Sequence, residues 1–72
     1  MDGETIMAIL LENTIYGQLP LDTPNRDAFD SLDWVNALYE IERKTGGTIN
    51  DSEWEALYDK EVKDILEFTR GK

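Results

Sequence analysis

Seventy-two residues, with sixteen acids against seven bases and a formal net charge of −9, allow one domain over 1–72 and little more. So acidic a chain is not a nucleic-acid binder, because phosphate recognition needs clustered Lys and Arg. With no Cys and no His, it has no disulfide, no thiolate metal centre and no imidazole to activate a nucleophile.

Leu, Ile, Val and Phe supply eighteen residues, above the level of disordered chains, so a small core is feasible. No apolar run is long enough to span a bilayer, and the Met1 start has no basic n-region. A soluble, cytoplasmic, monomeric protein is therefore the expectation.

The spacing of Ile6, Met7, Leu10, Leu11 and Ile15 predicts a first helix over 4–16, with Gly17 just past its end. Residues 18–29, with Pro20 and Pro24, read as a long loop pinned by Leu19, Leu21 and Phe29. A second helix is expected over 31–44. Its inward stripe would be Leu32, Val35, Leu38 and Tyr39, widened by Trp34 and Ile41, and Gly46-Gly47 would end it. Ser52-x-x-Glu55 matches a capping box opening a short third helix over 52–58, with Trp54, Leu57 and Tyr58 inward. Asp59 would cap a fourth helix over 60–69, with Val62, Ile65, Leu66 and Phe68 inward. The expected fold is all-α: a small four-helix bundle of three main helices and one short one, with a long loop before the second.

The most informative stretch is Asp30-Ser31-Leu32-Asp33, where loop becomes helix. Asp30 suits the N-cap, and Asp33 lies in the first turn, where the helix dipole favours negative charge. Ser31 has no His to deprotonate it, so it is no self-sufficient nucleophile. A helix start does favour phosphate, which makes Ser31 a good acceptor of a phosphate ester made by another enzyme.

Asp30-Ser31-Leu32-Asp33-Trp34-Val35 resembles the Asp-Ser-Leu signature of acyl carrier proteins. The likeness continues through Ile41-Glu42, through Ile49, Asp51, Glu53 and Glu55, and through the closing run from Val62 to Phe68. The resemblance implies an acyl-carrier-like bundle and no enzymatic activity. It implies covalent 4'-phosphopantetheine on Ser31, taken from coenzyme A, bearing acyl groups as thioesters between enzymes of fatty-acid, polyketide or related synthesis. A phosphopantetheinyl transferase and acyl-handling enzymes with basic docking patches would be its partners. Asp30, Leu32, Asp33, Val35, Glu40, Asp51 and Glu55 would recognise them, and Leu38, Tyr39, Ile49, Trp54 and Leu57 would line an acyl pocket. No membrane insertion, nucleic acid or metal is implied.

The chain also departs from the family pattern. Asp27-Ala28 stands where a Leu-Gly pair is usual, Asn36 and Arg43 where acids are common, Thr45 for an aromatic and Asn50 for proline. A specialised carrier is one reading of these changes. Trp34 and Trp54 are either core filling or a block in the cargo space between the second and third helices. Two other functions are alternatives: a non-enzymatic interaction domain, which would use the same acidic face without needing Ser31, and a carrier of amino acids or peptides, against which the acidity and Asp33 lean. For Glu40, Asp51 and Glu55, a solvated helix face is as good a reading as a functional one.

Overall fold

Helix starts are set by side chains that satisfy the free N–H groups of the first turn. In the computed structural model, which describes residues 1–72, Asp2 does this for helix α1, Gly3–Asn13. Its carboxylate accepts from the N–H groups of Glu4 (3.4 Å) and Thr5 (3.3 Å). Ile6, Ile9 and Leu10 are the buried face. The first helix is thus shorter than the apolar pattern predicts, and Leu11 and Ile15 are exposed. The reason is tertiary. Thr14 turns extended, its hydroxyl donates to the Ala28 carbonyl (2.6 Å), and the Ile15 N–H donates to the same oxygen (3.1 Å).

The expected loop over 18–29 contains a fifth helix, α2, Asn25–Ala28. Its only internal signals are Pro24 at the cap and a four-residue length, too short for periodicity to register. Long-range bonds define it instead. The Asn25 N–H donates to the Lys60 carbonyl (2.9 Å), Val62 N–H to Thr23 (3.0 Å) and Lys63 N–H to Leu21 (3.0 Å). The wholly buried Asn25 side chain donates through Nδ2 to the carbonyls of Leu57 (2.8 Å) and Glu61 (3.1 Å). Leu19 and Phe29 do pin the segment, but Leu21 is exposed.

Helix α3, Ser31–Thr45, starts on the Asp30 cap, which accepts from the Asp33 N–H (2.8 Å). It ends at Gly46, whose φ of 74° is the left-handed conformation that glycine adopts without steric cost. Its buried stripe is Trp34, Ala37, Leu38 and Ile41. Leu32, Val35 and Tyr39 lie on the exposed side instead, so the expected inward stripe is rotated. A stripe through Trp34 and Ile41 puts the largest ring in the core, and small Ala37 lets the neighbouring helix approach.

Helix α4, Asp51–Leu57, is capped by Asn50, whose Oδ1 accepts from Ser52 N–H (2.8 Å) and Glu53 N–H (3.4 Å). Ser52 is therefore already inside the helix, and the expected Ser52–Glu55 box does not form. Trp54 and Leu57 are buried, while Tyr58 is half-buried at the C-cap. Helix α5, Val62–Arg70, begins with a capping box between Glu61 and Asp64, not on Asp59. The chain needs residues 58–61 to turn, which the Lys60 N–H to Leu57 bond (2.9 Å) closes. Val62 and Ile65 are buried as expected; Leu66 and Phe68 only partly, with Thr69 buried beside them.

The architecture is all-α, with five helices and no strand. Helix α1 packs on α3 and α5. One core runs through all of it, from Ile6, Ile9 and Leu10 across Phe29, Trp34 and Ile41 to Trp54, Val62 and Ile65. The Cα atoms extend 26 × 23 × 20 Å. No helix is long and apolar enough to cross a membrane.

Candidate functional site

The chain enters α3 under close control. Phe29 is buried, with its ring 5.5 Å from that of Trp34, and its carbonyl accepts from the Tyr58 hydroxyl (2.7 Å). Tyr58 is itself covered by the Arg26 guanidinium, 4.9 Å from the ring centroid, and Arg26 is ion-paired with Asp59. Residue 29 is thus fixed from two sides. Residues 30 and 31 emerge into solvent immediately after it.

Ser31 is exposed at the first position of α3. Asp30 and Asp33 flank it. Partial desolvation, and then the Asp30 charge, hold the Asp33 carboxyl above the ordinary carboxylate range. Seven residues is close to two helical turns, so Ser31, Val35 and Leu38 share one line along the helix, with Trp34 beside it. Leu32 and Tyr39 lie on the next line and, with Val35 between the two, form an exposed apolar stripe, Leu32 at 69% and Tyr39 at 59% exposure.

Two depressions lie against this face. One, of ≈ 290 Å³, is lined by Ser31, Trp34, Val35, Glu55 and Tyr58. The other, of ≈ 120 Å³, lies further along α3 between Leu38, Tyr39, Asp51 and Trp54. The space between α3 and α4 is otherwise filled. The Trp34 and Trp54 rings stack with centroids 4.2 Å apart and planes 15° apart, and the Trp54 indole N–H donates to the Trp34 carbonyl (2.9 Å). Tyr58 tilts against Trp34 at 5.2 Å.

Most of the sequence-predicted residues therefore converge. Asp30, Ser31, Leu32 and Asp33 share the start of α3, and Val35, Asp51 and Glu55 border the depressions. Glu40 does not join them: it is half-buried on the α1 side, where it accepts from Asn13 Nδ2 (3.4 Å). The five predicted pocket residues separate. Leu38, Tyr39 and Trp54 border the smaller depression, whereas Ile49 and Leu57 are core residues outside both. Tyr39, expected inward, projects from the surface. Tyr58 was expected only to face inward and Phe29 to pin the loop; together they set the path of the chain into Ser31. Nothing in the sequence pairs Tyr58 with a carbonyl 29 positions away.

A hydroxyl in this setting can be acted upon. It has no imidazole or thiol beside it, since the chain contains none, and the nearest acids are the exposed Asp30 and the half-buried Asp33. What the face offers is an accessible serine, an apolar stripe and an acidic border. Compared with known proteins, the chain matches no family model, no curated protein and no solved structure.

Proposed function

We propose that this chain is a non-enzymatic carrier in which Ser31 bears 4'-phosphopantetheine and the terminal thiol of that arm holds acyl groups as thioesters. The observation that carries this reading is the exposed Ser31 as first residue of α3, between two aspartates, on a path held by Phe29 and Tyr58. The likeness to the Asp-Ser-Leu signature of acyl carrier proteins supports the same assignment, as does an all-α arrangement with the long segment ahead of the serine-bearing helix.

The chemistry belongs to a partner transferase. The Ser31 Oγ attacks the β-phosphorus of coenzyme A, and the pyrophosphate P–O bond breaks. Adenosine 3',5'-bisphosphate leaves with that electron pair, and the serine proton passes to a base of the transferase. Asp30 and Asp33 contribute by drawing in a basic partner surface or its divalent cation. Leu32 and Val35 supply the apolar contact at its centre, with Asp51 and Glu55 on the rim. The carrier's own contribution is positional: a tethered substrate has a high effective concentration at each partner's active site.

The departures from the family pattern at Asp27-Ala28, Asn36, Arg43, Thr45 and Asn50 support a specialised carrier, outside general fatty-acid synthesis. Intact-mass measurement after incubation with coenzyme A, magnesium and a broad-specificity phosphopantetheinyl transferase tests the reading. One phosphopantetheine is gained by the native chain and none by Ser31→Ala, which folds normally because the replaced side chain is exposed. No gain by a well-folded native chain would favour the acidic interaction domain instead.

A further inference from the structure

A tethered acyl chain longer than a few carbons leaves water only if the carrier offers it a cavity. The space next to Ser31 is the one between α3 and α4, bordered by Ser31, Trp34 and Glu55. Here that place is taken. Trp34 and Trp54, 4% and 1% exposed, stack at 4.2 Å, and the Trp54 indole N–H is bonded to the Trp34 carbonyl, so neither ring turns aside without losing a contact. Phe29 and Tyr58 close the same space from the side of Ser31.

We propose that the Trp34–Trp54 stack is a specificity-determining plug that limits this carrier to short cargo and leaves longer acyl chains in solvent or against a partner. The inference rests on the carrier reading of Ser31.

The remaining volumes agree with it. The depression beyond the stack is small, ≈ 120 Å³ against ≈ 290 Å³ for the one at Ser31. Its lining is mostly apolar, from Trp34, Val35, Leu38, Tyr39 and Trp54, but the carboxylates of Asp51 and Glu55 stand on its border, so its small size is what limits an alkyl chain. The wider ≈ 290 Å³ depression lies at Ser31 itself, the attachment end of the arm, whereas the cargo would be carried on the thiol at the other end. Glu55 sits on both borders, which also disfavours cargo ending in a carboxylate.

The test loads native protein with acetyl-, butyryl- and octanoyl-phosphopantetheine from the corresponding coenzyme A thioesters, with each product verified by intact mass. Hydroxylamine then converts each thioester to a hydroxamate and the free thiol, and the rate is compared with that of the same acyl-coenzyme A. On native protein the octanoyl thioester is cleaved within about twofold of its free reference. In Trp54→Leu, where part of the ring volume is vacated, octanoyl cleavage slows at least threefold while acetyl cleavage is unchanged. A second readout uses native protein alone. The two indole N–H signals, from Trp34 and Trp54, keep their shifts from the acetyl to the octanoyl form.

Tenfold protection of octanoyl on native protein, or a Trp54 indole shift that grows with chain length, overturns the proposal. So does a folded Trp54→Leu protein that gains no protection. If Trp54→Leu does not fold, the indole signals and the native hydroxylamine rates decide. Failure to load any of the three groups is a different result: it refutes the carrier reading, and this inference falls with it.

Discussion

Asn25 offers the sharpest test of how the segment ahead of Ser31 is held. Its side chain is wholly buried and donates from Nδ2 to the carbonyls of Leu57 (2.8 Å) and Glu61 (3.1 Å). Asn25→Ala removes both bonds, each worth about 1 kcal/mol net. The carbonyls are not orphaned, because Leu57 still accepts from Lys60 N–H (2.9 Å) and Glu61 from Asp64 N–H (3.0 Å). The replacement also removes Asn25 Oδ1, which is buried without a partner, and recovers part of the loss. The expected cost is about 1–2 kcal/mol, or roughly 4–16 °C in Tm for a domain of this size.

Asn25→Asp behaves differently. It sets carboxylate oxygens against two carbonyl oxygens inside a chain of net charge −9, and an uncompensated buried charge costs about 3–5 kcal/mol. Total stability for 72 residues is on the order of 4–11 kcal/mol, so this variant is at or near unfolding at pH 7. The introduced carboxyl holds its proton more tightly folded than unfolded. Stability is therefore highest below the unfolded-state value near pH 4 and is lost as pH rises above it. Urea unfolding of both variants at pH 4 and pH 7, followed by circular dichroism, measures this. Equal stability of the two at pH 7, or a deficit of Asn25→Asp that does not change with pH, would refute the donor role of the amide.

Two further outcomes follow from local geometry. The Asp33 carboxyl is held above its ordinary value, so the folded protein keeps that proton longer than the unfolded chain, and the associated stability is lost as pH rises through the folded value. Asp33→Asn is accordingly more stable than native protein at pH 7, with the gain vanishing toward pH 3, as read from urea midpoints. Gly46→Ala meets open space, so its cost is the left-handed backbone alone, about 1–2 kcal/mol in the same assay.

What was legible in the sequence was what neighbours in sequence decide. The Asp30 cap, the Gly46 stop and four helices over nearly the right residues all rest on contacts within one turn. The caps of α4 and α5 were misread by two residues, at Asn50 and Glu61, but the larger misses have another cause. Helix α1 stops at Asn13 because Thr14 and Ile15 bind the Ala28 carbonyl, and α2 exists because Asn25, Thr23 and Leu21 bind residues 57–63. No local pattern encodes a partner thirteen or more positions away. The rotation of the α3 stripe has a related origin. Leu32, Val35 and Tyr39 satisfy helical periodicity as well as Trp34, Ala37, Leu38 and Ile41 do. The choice between them depends on where the Trp54 ring lies.

That rotation bears directly on function. Had Leu32, Val35 and Tyr39 faced inward, α3 would present only acids around Ser31, and a solvated helix start would explain the face. Instead, three large apolar side chains stay in water beside an accessible serine, while the same helix buries Trp34. Leaving such a stripe exposed forgoes burial worth about 1.5–3 kcal/mol for each large aliphatic side chain, in a domain with little stability to spare. On the carrier reading proposed above, a partner covers this stripe. An acidic interaction domain would account for the stripe and its border equally well, but it would be indifferent to the residue at position 31. The distinction between the two readings therefore lies in the Ser31 hydroxyl, not in the charge or the apolar surface around it.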